Sequence, residues 1–99
     1  MANAALSTVY DARPDISRFM SGFTLETTPA SAAKIADFRE HVRIGTPVYI
    51  PFLPGSDFND TIALAARLRR EGFDPVPHFA ARSLKDAATV ESSLVRLRE

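Results

Sequence analysis

The sequence predicts an α/β fold made of three successive βα units with parallel strands. Short apolar runs rich in β-branched and aromatic residues alternate with segments of helical periodicity. The alternation is clearest in the middle of the chain, where a helical pattern over residues 57–71 separates apolar runs at residues 48–52 and 76–80. Strands joined through a helix in this way run parallel, with right-handed crossovers.

The first unit begins with a strand at residues 22–27, in which apolar and polar residues alternate up to Glu26. Such alternation is typical of a strand with one buried face. Pro29 ends the strand and suits the first turn of a helix. A helix is therefore predicted over residues 30–42.

The second unit contains the helix with the most complete set of signals. Ser56 or Asp57 can cap its N-terminus, because a short side-chain oxygen accepts a backbone N–H of the first turn. An apolar stripe that includes Ile62 follows at helical spacing. Gly72 stands where a left-handed C-terminal cap belongs. The basic residues of the last turns, Arg67, Arg69 and Arg70, are interpreted as a solvated face.

The third unit ends in a helix with a broad apolar side. Ser83 is the predicted N-cap, with Asp86 three residues later in a loose form of the capping box. The domain organisation is then an N-terminal segment over residues 1–21, with a short helix near residues 15–21, followed by a βαβαβα region over residues 22–99. Three units fit either an open Rossmann-like sheet or part of an eight-unit barrel, which needs about 200 residues to close.

Composition limits the function classes. Twelve basic and twelve acidic residues give no net charge, so we expect neither a nucleic-acid partner nor an anionic membrane. There is no cysteine and there are two histidines, so we expect no metal site. The N-terminus lacks a secretory pattern, and no apolar stretch reaches the roughly 18 residues of a membrane span. We interpret the chain as a soluble cytoplasmic protein.

The candidate site lies at the carboxyl ends of the strands, where α/β folds gather their functional groups. Glu26 ends the first strand and can be a general acid if partial burial favours its protonated form. His78 belongs to the third strand and can bind a cofactor or exchange protons. The structural alternatives are a glutamate that caps a helix or pairs with Arg82, and a histidine that holds a backbone carbonyl.

Two short motifs resemble the methylenetetrahydrofolate reductase family. Phe23-Thr-Leu-Glu26-Thr-Thr-Pro29 is similar to the opening strand of that family, and Pro75-Val-Pro-His78-Phe is similar to its third strand. Residues 53–58 and 66–73 look like the bacterial branch of these reductases. The resemblance covers roughly residues 20–98, and its motifs occur in the family's order.

The resemblance implies a flavoprotein built on a TIM barrel. The family passes hydride from NAD(P)H through FAD to methylenetetrahydrofolate, in one-carbon metabolism. Carried over by position, Glu26 matches the general acid that protonates the bridging nitrogen of the folate. Phe52 and His78 match residues that contact the flavin. Pro51 departs from the family, which often has a threonine there, and the later strands of the barrel have no counterpart in these residues.

Two hypotheses follow. The first is that the chain is the N-terminal part of a reductase of this kind, with folate and a nicotinamide nucleotide as partners of the complete enzyme. We expect these 99 residues to be inactive alone, because a cofactor pocket buries most of its ligand. The alternative is a non-catalytic α/β module that self-associates through open sheet edges.

Overall fold

A computed structural model describes residues 9–99. In this part of the chain helices and strands alternate. In chain order they are α1 (Arg13–Met20), β1 (Leu25–Glu26), α2 (Pro29–Ala32), β2 (Pro47–Ile50), α3 (Phe58–Arg70), β3 (Asp74–Pro77) and α4 (Ala87–Arg98). The short helix predicted near residues 15–21 corresponds to α1, while residues 1–8 of the N-terminal segment lie outside the described residues. No helix of the described part has the length and apolar content needed to cross a bilayer.

The three strands form one parallel sheet in the order β1-β2-β3. Glu26 of β1 lies beside Tyr49 of β2, and Tyr49 lies beside Val76 of β3. At the carboxyl end of the sheet, Ile50 lies beside Pro77. The predicted α/β class and the parallel strands are therefore confirmed.

One face of the sheet packs against the helices and forms the core. Val48 and Ile50 of β2 are both 0% exposed, as is Leu68 of α3. Phe73, which directly precedes β3, is 1% exposed and meets Phe38 edge to face, with ring centroids 6.1 Å apart. Burial of these apolar side chains is the main favourable term in folding.

The opposite face of the sheet is open over the residues that the structure describes. Tyr49, which lies between two fully buried neighbours in β2, is 46% exposed. Strand side chains alternate between faces, so Tyr49 marks the side turned away from the helices. Parallel sheets are usually covered on both faces, and here the second face is accessible.

The predicted central helix is confirmed as α3. Asp57 is its cap, because the side chain accepts the backbone N–H of Asn59 at 2.9 Å. Ile62 is buried, as the apolar stripe predicted. Gly72 adopts φ 92°, the left-handed conformation expected of a residue that ends a helix.

The helix predicted over residues 30–42 is wrong. α2 ends at Ala32 after one turn, and the guanidinium group of Arg67 occupies the carbonyls that a longer helix would use. Arg67 donates to the carbonyl oxygen of Ala32 at 2.8 Å and also to those of Ile35 and Ala36. A tertiary interaction therefore replaces the helical hydrogen bonds.

The same interaction corrects the interpretation of Arg67 as part of a solvated face. Its side chain is only 25% exposed and pairs with Glu71 at 2.7 Å. Glu71 also accepts the backbone N–H of Phe38 at 2.9 Å. The chain resumes as a 3₁₀ turn over Phe38–Glu40, which the side chain of Asp37 caps.

The predicted N-cap of the third helix is also wrong. Ser83 lies in a separate 3₁₀ turn, Ala81–Ser83. Asp86 caps α4 instead, because its carboxylate accepts the backbone N–H of Thr89 at 2.7 Å. The helix therefore begins three residues later than predicted.

β3 is shifted towards the N-terminus relative to the predicted strand over residues 76–80. The backbone N–H groups of Asp74 and His78 donate to carbonyls of Thr46 and Ile50. Backbone N–H positions alternate between the two edges of a strand. The backbone nitrogens of Pro75 and Pro77 therefore face the free edge, where a missing N–H costs little.

Candidate functional site

A row of side chains crosses the open face of the sheet. The register places Glu26, Tyr49 and Val76 side by side on β1, β2 and β3. His78 follows Val76 by two residues and therefore projects from the same face. The backbone N–H of His78 donates to the carbonyl oxygen of Ile50 at 3.0 Å, which holds its main chain against β2.

These side chains share a cavity of about 310 Å³. Its lining comes from all three strands and from the residues that follow β2 and β3. The lining residues are Glu26, Tyr49, Ile50, Pro51, Val76, Pro77 and His78. The structure thus brings together the carboxylate and the imidazole that were singled out in the sequence.

The carboxylate and the imidazole come from the two outer strands of the sheet, with β2 between them. Two strand spacings and a rise of two residues separate the Cα atoms of Glu26 and His78 by about 12 Å. Tyr49 lies on the strand between them. The arrangement suits a flat ligand that Glu26 and His78 contact from two sides, with the Tyr49 ring beneath it.

Glu26 and His78 are both exposed. Among residues 9–99, neither side chain takes part in an ion pair or a hydrogen bond. A general acid at Glu26 needs cover over the open face, because burial is what favours the protonated form of a carboxyl group.

Phe52 lies in a different environment. Its ring is 6.0 Å from that of Phe58, which in turn is 4.7 Å from that of Phe79. This aromatic cluster lines a small cavity of about 70 Å³ beside Ser93 of α4. Phe52 does not line the cavity shared by Glu26 and His78, and its assignment to a flavin contact stays a prediction.

Tyr49 is the site residue that sequence reasoning missed. Once Glu26 is placed beside residue 49 in a parallel sheet, the alternation of strand side chains puts the phenol on the face of the carboxylate. That register follows from tertiary packing. The only signal in the sequence was a tyrosine between two β-branched residues, Val48 and Ile50.

Fold and site define a class of protein: a parallel α/β sheet that presents a carboxylate, a phenol and an imidazole on one accessible face. Within residues 9–99, no three potential His, Cys, Asp or Glu ligands lie close enough together to hold a metal ion. No model of a known protein family matches the chain.

Proposed function

We propose that this chain forms the first three βα units of a flavin-dependent, methylenetetrahydrofolate reductase-like oxidoreductase of the cytoplasm. The observation that carries the proposal is the cavity shared by Glu26 and His78 on one face of a parallel sheet. In a TIM barrel the face turned away from the helices is the interior, and the site lies at the carboxyl ends of the strands.

Glu26 is assigned the acid role. Its carboxyl group lies in the last residue of β1, on the face that a complete barrel would enclose. Enclosure removes water and favours the protonated carboxyl, which can then give its proton to a nitrogen of a bound folate. The Cα separation of about 12 Å from His78 leaves room for one flat ring between the two side chains.

The residues present fit part of a flavin. Tyr49 offers a flat aromatic surface, and His78 offers an imidazole that can donate or accept a hydrogen bond. The cavity of about 310 Å³ accommodates a ring system rather than a whole dinucleotide. When bound, the flavin supplies the redox chemistry between the nicotinamide and the folate.

A non-catalytic binding module is the second candidate function. The observation that favours it is the open face itself, where Tyr49 is 46% exposed. A bare face of a parallel sheet is a surface that a partner can cover. The two functions differ in two readouts, since only the complete reductase binds FAD and reduces folate.

The proposal predicts the effect of Glu26→Gln in the protein expressed from its native reading frame. Folate reduction should fall by roughly 100- to 10,000-fold, because the general acid is lost. Reduction of the bound flavin by NAD(P)H should stay within about two-fold of the parent, because Glu26 acts on the folate half of the cycle. Stopped-flow absorbance separates the two half-reactions.

Glu40→Gln is the matched control, because Glu40 is an exposed carboxylate of a 3₁₀ turn and does not line the cavity. It should leave both half-reactions unchanged. Residues 1–99 alone should give a flat FAD titration. Two results would contradict the proposed function. One is normal folate reduction by the Glu26→Gln variant, and the other is a protein expressed from the native reading frame that contains no bound flavin.

A further inference from the structure

α4 presents a broad apolar surface outwards rather than towards the core. Leu94 is 53% exposed and Val95 is 43% exposed, whereas the helix buries the small Ser93. The outward surface forms a shallow groove of about 450 Å³. Its lining residues, here called the α4 face, are Ala87, Val90, Glu91, Leu94, Val95 and Arg98.

Two opposite charges frame the α4 face. Glu91 and Arg98 are seven residues apart, which is two helical turns or about 10.5 Å, so they project from the same side. Within residues 9–99, neither takes part in an ion pair. The midpoint between them falls between Leu94 and Val95, at the centre of the apolar surface.

We propose that, in the non-catalytic module that is the second candidate function, a second copy of this chain docks on the α4 face, with the two helices antiparallel about a two-fold axis at that midpoint. In a complete barrel the next βα unit would cover this face instead. The symmetry brings Glu91 opposite Arg98 of the partner subunit and Arg98 opposite the partner's Glu91. Leu94 then packs against the partner's Val95. Such an interface is isologous, since one surface meets itself.

The charges select this arrangement over a parallel one. A parallel pair of α4 helices would bring Glu91 beside the partner's Glu91 and Arg98 beside the partner's Arg98, and like charges in contact repel. The antiparallel pair instead forms two ion pairs around a dry apolar centre. It also sets the two helix dipoles in opposite directions.

The free edge of β3 is a poorer surface for a second copy. Strand pairing needs backbone N–H donors, and Pro75 and Pro77 remove them from that edge. The α4 face needs no backbone donors, because all groups of a helix interior are already paired.

The small size of the interface limits its strength. α4 has 12 residues and is about 18 Å long, so two such helices bury less than the roughly 1,200 Å² of a stable interface. We expect a reversible dimer with a dissociation constant on the order of 0.1 mM.

Sedimentation equilibrium of the chain from about 5 µM to about 1 mM tests the dimer. Wild type should pass from monomer to dimer over this range. Glu91→Arg and Arg98→Glu should each weaken association roughly ten-fold, because each change creates like-charge contacts at both symmetric positions. The double variant E91R/R98E should restore wild-type association, because it exchanges the two charges.

Glu40→Arg is the control, since it makes the same charge change on an exposed residue away from α4. It should associate like wild type, and circular dichroism should show equal helix content in all variants. A chain that stays monomeric to 1 mM overturns the proposal. Unchanged association of the single variants, or a double variant as weak as the singles, also overturns it.

Discussion

Arg67 shows how one side chain decides the path of a segment more than 30 residues away. Its guanidinium group donates to the carbonyls of Ala32, Ile35 and Ala36 and pairs with Glu71. It also lies 5.1 Å from the centroid of the Phe38 ring, a cation–π contact. Five partners are thus held by a single group whose planar fork suits several acceptors at once.

Arg67→Ala should lower the free energy of unfolding by about 3 kcal/mol, because carbonyls inside the fold lose a charged donor. The midpoint of urea unfolding measures the change. Arg70→Ala is the matched control in the same helix, and its exposed side chain predicts an effect within about 0.5 kcal/mol. Equal losses in the two variants would contradict the role given to Arg67.

At the scale of the element, the first crossover and α4 depart from the sequence patterns for different reasons. Residues 30–42 carry a helical pattern, but long-range hydrogen bonds to their backbone outweigh the weak local preference. In α4 the departure is only one of boundary. Ser83 and Asp86 are both acceptable N-cap residues. Ser83 is part of the preceding 3₁₀ turn, so Asp86 caps the helix.

Asp86→Ala should therefore lower the Tm by roughly 4–8 °C, as loss of an N-cap does in a domain of this size. Ser83→Ala should leave the Tm almost unchanged, because its side chain caps nothing. Thermal unfolding followed by circular dichroism compares the two. A larger loss from Ser83→Ala than from Asp86→Ala would return the cap to Ser83.

At the scale of the whole molecule, three carboxylates tie stability to pH. The pKa values of Asp11, Asp37 and Asp86 are lowered, that of Asp37 to about 2. The largest cause for Asp11 and Asp37 is a side-chain hydrogen bond from an arginine two residues later, and for Asp86 it is the backbone N–H of Thr89.

Because these pKa values are lower in the folded chain, the unfolded chain binds more protons in acid. The stabilisation is fully present above about pH 5 and is lost as the pH falls towards about 2. The urea midpoint should stay level from pH 7 to about 5 and then drop. The urea midpoint of the Asp37→Asn variant should drop less steeply in acid than that of the wild type. A wild-type midpoint that rises in acid would contradict the linkage.

The candidate site was predictable in part. Glu26 and His78 stand near strand ends in the sequence, and parallel strands gather their carboxyl ends at one edge, so their common location follows from topology. The placement of Phe52 among other aromatic rings beside α4 does not follow from topology. It depends on how the residues after β2 and β3 pack against the helices.

Local patterns by themselves determined the α/β class, the parallel order of the strands and the limits of α3, because periodicity and caps act between residues a few positions apart. Tertiary structure decided the rest. Arg67 reached across the fold to end α2, and the strand register set Tyr49 beside Glu26. The packing of α4 against the rest of the fold buried Ser93 and left Leu94 exposed. Contacts between residues far apart in the chain made each of these choices, and no local preference encodes them.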